Sequence, residues 1–161
     1  MRKIRVGIAG YGTIGQRLAD GVAMQEDMEL VGIADLAPTL SLQALRERDM
    51  IGANGVKYDL YLVDGADKAA FEAKDIPVAG SFDELCQKVD IMLDSAPGGV
   101  GAKNKENYYD KYGVKAIFQG GEKNSVADVF FHGYANYEKG VGQNYLKLTS
   151  CNTTGLIRTV D

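Results

Sequence analysis

The sequence predicts a single α/β domain with a doubly wound, mostly parallel sheet that helices cover on both faces. Short apolar segments alternate along the chain with longer amphipathic ones, as parallel strands alternate with crossover helices. The length of 161 residues suits one domain, and no repeat or linker-like tract divides it. Glycine makes up 20 of the 161 residues, about 12% against a typical ~7%. Several glycines follow the apolar segments, which is where ligands bind to such sheets.

The individual elements follow in order from the spacing of apolar residues. Strands are predicted at residues 4–9, 29–34, 59–63, near Val78, and at 91–95, 114–119 and 145–149. Helices are predicted at residues 13–25, 40–50, 67–74, 82–88 and 103–112. Ser81 and Glu84 form a capping-box sequence at the start of the fourth helix, and Gly113 is expected to end the fifth.

Charge and hydropathy exclude several classes of partner. The net charge is −4 and no basic stripe occurs, which argues against nucleic acid. No apolar run reaches the ~18 residues of a membrane span, and the run at 6–9 after the basic N-terminus is too short for a signal peptide. We therefore expect a cytoplasmic protein that binds a small molecule and no membrane.

The first predicted strand is followed directly by a glycine motif. Residues 10–15 read Gly-Tyr-Gly-Thr-Ile-Gly, the G-x-G-x-x-G spacing, and a predicted helix follows at once. In a Rossmann-type fold these glycines allow a tight turn, close approach of a pyrophosphate and close helix–strand packing. The predicted cofactor-binding residues here are Gly10, Tyr11, Gly12, Thr13, Ile14 and Gly15.

An acidic residue suggests which dinucleotide binds. Asp35 ends the second predicted strand, about 20 residues after Gly15, where a carboxylate can accept hydrogen bonds from the adenosine ribose. Residues 36–39 contain no Arg or Lys to neutralise a 2′-phosphate, so NAD is expected and NADP is disfavoured. The alternative is that Asp35 caps the loop that follows it.

Two further glycine-containing loops follow later strands. Pro97 and Gly98 follow the strand at 91–95, and Gly120 and Gly121 follow the strand at 114–119. Both loops are predicted to flank the dinucleotide, because the ends of parallel strands meet at one edge of the sheet. The alternative is that both are ordinary strand–helix turns.

The two cysteines have different surroundings. Cys86 lies on the apolar stripe of a predicted helix and is expected to be a buried, inert side chain. Cys151 opens a polar segment typical of a helix start, where backbone N–H groups and the helix dipole can lower the pKa of a thiol. Cys151 is thus a candidate nucleophile and Asn152 a candidate oxyanion donor, although composition alone favours a buried structural cysteine. No metal site is expected, and the one histidine, His132, is expected to be structural.

Five segments together resemble one enzyme family, the archaeal-type phosphorylating glyceraldehyde-3-phosphate dehydrogenases. They are residues 6–15 with Arg17, 101–105, 115–123, 135–138 and 150–156. The resemblance implies that Cys151 is the nucleophile, that NAD takes up hydride and that inorganic phosphate cleaves a Cys151 thioester to give 1,3-bisphosphoglycerate. It also implies phosphate contacts from Ser150 and Thr153, and a homotetramer.

The chain departs from this family in three respects. Ala9 stands where the family usually carries Asn, and Asp35 stands where archaeal members, many of which accept NADP, often have no acid. The family's general-base histidine lies in a later domain, and His132 does not match it. We therefore expect the NAD-binding half of the enzyme, catalytically incomplete alone.

Three other functions stay open on sequence grounds. One is a semialdehyde dehydrogenase with a cysteine nucleophile. Another is a sugar-type oxidoreductase using a pair such as Glu122 and Lys123, although the absence of Pro after Lys123 weakens that match. The third is a non-catalytic NAD-binding module.

Overall fold

Eight parallel strands form one sheet in the part of the chain that the structure describes. The structure is a computed structural model that describes residues 2–48, 58–119 and 121–160. The strands are β1 (Ile4–Ala9), β2 (Met28–Asp35), β3 (Asp59–Leu62), β4 (Gly80–Ser81), β5 (Ile91–Asp94), β6 (Lys115–Phe118), β7 (Val129–Phe131) and β8 (Tyr145–Leu148). Their spatial order is β4-β3-β2-β1-β5-β6-β8-β7, and every strand pair is parallel. The predicted fold class is confirmed.

Helices connect the strands and lie on both faces of the sheet. They are α1 (Thr13–Ala23), α2 (Leu40–Glu47), α3 (Lys68–Glu72), α4 (Phe82–Cys86), α5 (Val100–Asn104), α6 (Asp110–Tyr112), α7 (Gly133–Gly140) and α8 (Cys151–Val160). A π-helical segment, Lys105–Tyr109, joins α5 to α6 and is called the π-turn below; Asn124–Val126 form a 3₁₀ turn. No described helix has the length and apolarity needed to cross a bilayer.

The core consists of two clusters, one on each side of the sheet. Ile8, Ile33 and Phe71 belong to one cluster and are completely buried. Phe82 and Tyr109 belong to the other, which packs against α4 and the π-turn. Because both faces are covered, the inner strands are apolar on both sides, which explains why they appear in the sequence as short continuous apolar runs.

The capping-box prediction at α4 is confirmed. The backbone N–H of Glu84 donates to Ser81 Oγ at 3.3 Å, and the N–H of Ser81 donates to Glu84 Oε2 at 2.7 Å. The N–H and the hydroxyl of Ser81 both donate to the Glu84 carboxylate, and these two hydrogen bonds hold the pKa of that carboxyl below its usual value.

Several element boundaries differ from the prediction. The strand expected near Val78 is instead Gly80–Ser81, because Tyr61 and Leu62 of β3 pair with these two residues. The helix expected from residue 103 begins at Val100. Predicted helix 40–50 ends at Glu47, and Met50 lies outside the described residues.

Helix α7 has no counterpart in the prediction. Its N-cap is His132, whose Nδ1 accepts the backbone N–H groups of Tyr134 and Ala135 at 3.3 and 3.4 Å. Histidine is not among the usual N-cap residues, and glycines stand at both ends of α7. The sequence therefore contains no recognisable helix-start signal here.

Two glycines of α1 allow a matched test of its packing. A Cβ atom on Gly15 would lie 2.0 Å from the carbonyl oxygen of Gly10, whereas a Cβ on Gly21 would meet no atom within 4 Å. We expect Gly15→Ala to lower the free energy of unfolding by about 1–3 kcal/mol or more. Gly21→Ala should raise it by about 0.5–1 kcal/mol, because glycine is costly inside a helix. Urea unfolding of both variants measures this difference, and equal effects would contradict the packing described.

Candidate functional site at the carboxyl edge of the sheet

The predicted site residues converge at one edge of the sheet. All strands are parallel, so the segments that follow β2, β1, β5, β6 and β8 lie side by side in that order. The chain leaves β1 and β5 in opposite directions across the sheet, which makes the gap between them the topological switch point where ligands bind in such folds.

The glycine turn after β1 leaves the N-terminus of α1 open. Gly10 has φ +84°, and Gly12 precedes the helix without a side-chain cap. No acidic residue lies in the first turn, and Thr13 and Ile14 are exposed. The first N–H groups of a helix have no acceptor within it and carry its positive dipole end. This helix end therefore suits an anion such as a pyrophosphate.

Asp35 is held rigidly beside that turn. Its Oδ2 accepts the N–H of Tyr11 at 2.9 Å, and its Oδ1 accepts the N–H of Leu36 at 2.7 Å. The second bond is the loop-capping role that the sequence left open. Each carboxylate oxygen has a further lone pair, so the same side chain can still accept a hydrogen bond from a ligand hydroxyl.

The Tyr11 side chain does not reach the ligand side of the turn. It is 4% exposed and lies in the core with its ring centroid 6.4 Å from that of Tyr58. Burial raises the pKa of Tyr11 to about 12. The side chain is therefore not placed to contact a cofactor. The remaining role of Tyr11 at this site is that its backbone N–H positions the Asp35 carboxylate.

A cleft of about 360 Å³ opens beside Asp35, and we call it the Asp35 cleft. Three predicted residues line it: Gly10, Asp35 and Pro97. The sequence analysis missed most of its walls, which include Leu36, Val63, Asp64, Phe82, Lys103, Asn107 and Tyr108. These residues follow β2 and β3 or lie on α4, α5 and the π-turn. They carry no local motif, although Asp64 and Gly65 form a turn sequence at the carboxyl end of an apolar strand, which was a usable signal.

Buried polar groups fix the loop after β5, which forms one side of the Asp35 cleft. Asp94 is 1% exposed, and its Oδ2 accepts Tyr109 Oη at 2.6 Å and Asn104 Nδ2 at 2.9 Å. Its Oδ1 accepts the N–H of Ala96 at 3.0 Å. Burial raises the pKa of the Asp94 carboxyl despite these bonds. Ser95 Oγ donates to the Gly10 carbonyl at 2.7 Å, which ties this loop to the glycine turn.

The loops after β5 and β6 meet at a second cleft of about 630 Å³, the Gly98 cleft. Gly98 and Gly121 line it and touch, since a Cβ on Gly98 would lie 2.9 Å from the Gly121 carbonyl oxygen. Glu122 is 9% exposed, and its Oε1 accepts the N–H of Gly101 at 2.8 Å. This carboxylate thus occupies the N-terminal end of α5, whereas that of α1 is open. Gly120, also predicted to bind the cofactor, lies outside the described residues.

Cys151 is exposed at the first residue of α8. Ser150 Oγ accepts the N–H of Thr153 at 3.2 Å and lies 2.9 Å from Thr153 Oγ1, so Ser150 caps the helix. Helix geometry gives the N–H groups of Cys151 and Asn152 no acceptor within α8. The Cys151 thiol lies 3.8 Å from Asn152 Oδ1. This exposed placement differs from the buried structural cysteine that composition favoured.

His132 and Cys86 have structural surroundings. His132 Nδ1 accepts two backbone N–H groups at the start of α7, which leaves that nitrogen no lone pair for a substrate proton. Cys86 is 1% exposed, and burial raises the pKa of its thiol to about 12.

Curated relatives share this sequence across almost the whole chain. It is 45% identical over 160 residues to the glyceraldehyde-3-phosphate dehydrogenase of Archaeoglobus fulgidus, covering 99% of this chain and 44% of the relative. It is 47% identical over 156 residues to that of Methanobacterium bryantii and 46% identical over 159 residues to that of Pyrococcus abyssi. The chain is a homologue of archaeal glyceraldehyde-3-phosphate dehydrogenases. It spans about 44–45% of the length of these three dehydrogenases.

The chain was also compared with protein-family models and with solved structures. No family model matches the chain. The crystal structure of aspartate semialdehyde dehydrogenase II from Vibrio cholerae has a TM-score of 0.51 and 18% identity, covering 97% of this chain and 44% of that one. At this identity the likeness concerns the fold alone.

Alkylation should distinguish the two cysteines. With iodoacetamide near neutral pH we expect Cys151 to react at least tenfold faster than Cys86, because accessibility and thiolate formation control the rate. Peptide mass spectrometry over time measures both rates in one sample. Cys151→Ser should leave only slow labelling, and Cys86→Ala should leave the fast reaction unchanged. Equal, slow labelling of both cysteines would remove the nucleophile assignment.

Proposed function

We propose that this chain binds NAD along the carboxyl edge of its sheet. We further propose that Cys151 is the nucleophile of a phosphorylating aldehyde oxidation, the reaction of glyceraldehyde-3-phosphate dehydrogenase. The observation that carries the proposal is the exposed Cys151 at the start of α8, on the same sheet edge as the open glycine turn. Three strand spacings separate the ends of β1 and β8 in the sheet order, about 14 Å. One extended dinucleotide can bridge such a distance.

The residues present fit the proposed cofactor. The open N-terminus of α1 suits the pyrophosphate, and Asp35 suits the adenosine ribose. The Asp35 cleft, about 360 Å³, falls within the usual range of ligand pockets, roughly 300–1,000 Å³. Pro97, Gly98 and Gly121 would border the dinucleotide further along the edge. When bound, the nicotinamide of NAD supplies the hydride acceptor.

The chain's own chemistry would centre on Cys151. Its thiolate attacks the aldehyde carbon of glyceraldehyde 3-phosphate, a C–S bond forms, and the carbonyl oxygen becomes an oxyanion that the first N–H groups of α8 and Asn152 stabilise. After oxidation the product is a Cys151 thioester. Inorganic phosphate attacks its carbonyl carbon, the C–S bond breaks, the thiolate leaves and 1,3-bisphosphoglycerate forms. Ser150 and Thr153, beside the thiol, are the proposed phosphate contacts.

The proposal assigns the general base to a separate domain. His132 Nδ1 accepts two N–H groups at the start of α7, which is why this histidine is not given the role of the base. A homotetramer and a cytoplasmic location belong to the same proposal and rest on the family resemblance.

Calorimetric titration tests the cofactor. We expect the chain to bind NAD more tightly than NADP, because the fixed Asp35 carboxylate would face a 2′-phosphate. Asp35→Asn should narrow the NAD/NADP affinity ratio by about tenfold, equivalent to ~1.4 kcal/mol.

Asp27→Asn is the matched control, since Asp27 is an exposed acid just before β2, at the opposite edge of the sheet. That control should leave the ratio unchanged. NADP binding as tight as NAD binding in the unaltered chain would contradict the role given to Asp35.

Steady-state assays test the missing base. The chain alone, with NAD, phosphate and glyceraldehyde 3-phosphate, should form NADH only slowly, because the base that deprotonates the thiol or the hemithioacetal is assigned to a separate domain and His132 Nδ1 is already an acceptor at the start of α7. A rapid rate abolished by Cys151→Ser would show that a base is present in this chain after all.

A further inference from the structure

Two threonine hydroxyls join the start of α8 to the sheet. Only Thr149 and Ser150 separate the end of β8 from Cys151. The backbone N–H of Thr149 donates to the carbonyl of Phe131 in β7 at 3.1 Å, so Thr149 is still held by the sheet. Its Oγ1 lies 2.7 Å from Thr154 Oγ1. This hydrogen bond therefore connects the last sheet-bound residue with the first turn of α8, on either side of Cys151. We call Thr149 and Thr154 the threonine pair.

Few other contacts fix the direction of α8. No residue from Cys151 to Val160 is buried, so a packed apolar face does not hold this helix. The Ser150 hydroxyl caps α8 and moves with it. At the other end, the Arg158 guanidinium lies 5.7 Å from the centroid of the Tyr134 ring. Among the described residues, the threonine pair forms the one side-chain hydrogen bond between α8 and a residue held by the sheet.

The other acceptor within reach of Thr154 shows what the threonine pair prevents. A threonine hydroxyl inside a helix can bond to the carbonyl four residues earlier, which often bends the helix. For Thr154 that carbonyl belongs to Ser150, and it already accepts the Thr154 N–H at 2.8 Å in the first turn of α8. The Thr154 hydroxyl bonds to Thr149 instead. The first turn therefore keeps its regular hydrogen bond, and the N–H groups of Cys151 and Asn152 stay free at its start.

We propose that the threonine pair is a positioning element for Cys151, which fixes the orientation of the first N–H groups of α8 relative to the thiol. The pair touches no reacting atom and acts through the start of the helix. The inference rests on the proposed function, in which those N–H groups stabilise the oxyanion that Cys151 generates. Such donors are effective because their direction is fixed before the charge develops. The attraction of a helix start for an anion falls off within the first turn, so a change in its orientation is measurable.

Alkylation of the full chain with a charged and with an uncharged reagent tests the proposal. Iodoacetate carries a carboxylate that free N–H groups attract, whereas iodoacetamide is neutral. The ratio of their rates at Cys151 therefore reports how those groups are directed. A change in stability, thiol exposure or thiolate fraction alters both rates alike and cancels in the ratio. We expect Thr149→Val and Thr154→Val each to lower the ratio about threefold. The double variant should fall no further, because each hydroxyl acts through the other.

Two further variants are matched controls, and peptide mass spectrometry measures the labelling of Cys151 in each. Thr149→Ser keeps a hydroxyl at the same position and should keep the ratio. Thr159→Val removes a hydroxyl of the same helix that donates to the Gly155 carbonyl at 2.8 Å, and it should keep the ratio as well. Urea unfolding checks that each variant is folded, and if Thr149→Val is not, Thr154→Val decides.

Two results would contradict the role of the threonine pair. An unchanged ratio in its valine variants, or an equal fall in Thr159→Val, would overturn the inference and leave Cys151 as the proposed nucleophile. Labelling of Cys151 in the unaltered chain as slow as that of Cys86 would overturn both.

Discussion

The close approach of α1 to the turn after β1 is the constraint on which the rest of the site depends. No side chain fits at Gly15, since even a Cβ would lie 2.0 Å from the Gly10 carbonyl oxygen. That approach places the first turn of α1 directly over the end of β1. Ser95 and Asp35 then fasten the same turn to the ends of β5 and β2. An open helix end, a fixed carboxylate and a cleft meet at the switch point as a result.

A second layer of buried polar groups holds the neighbouring loops. Asp94 accepts three hydrogen bonds from the loop after β5, α5 and the π-turn. Glu122 fills the N-terminal end of α5. Removing one partner from such a network leaves a buried polar group unsatisfied, which costs about 1–3 kcal/mol. These residues therefore shape the cleft walls without lying at the point of chemistry.

The sequence predicted the fold well because local signals were strong. Apolar runs identified most strands, and Ser81 with Glu84 marked a helix start that the structure reproduces. The weak points were Gly80–Ser81, a two-residue strand whose existence depends on pairing with β3, and α7, whose cap is a histidine. Pairing with β3 decides the short strand, and an unusual cap residue begins α7, so neither element has a signal in local propensity.

The site was predictable only where it is continuous in sequence. The glycine motif and the segment around Cys151 were visible, whereas Asp64, Lys103 and Tyr108 reach the same cleft only through strand order and the π-turn. Tyr11 belongs to the glycine motif, yet its side chain lies in the core, which the motif alone did not indicate. A crystal structure of the chain with NAD would test the account most directly. It should show the adenosine in the Asp35 cleft, the pyrophosphate at the N-terminus of α1 and the nicotinamide directed toward Cys151. A dinucleotide bound away from the carboxyl edge of the sheet, or one whose nicotinamide points away from Cys151, would contradict it.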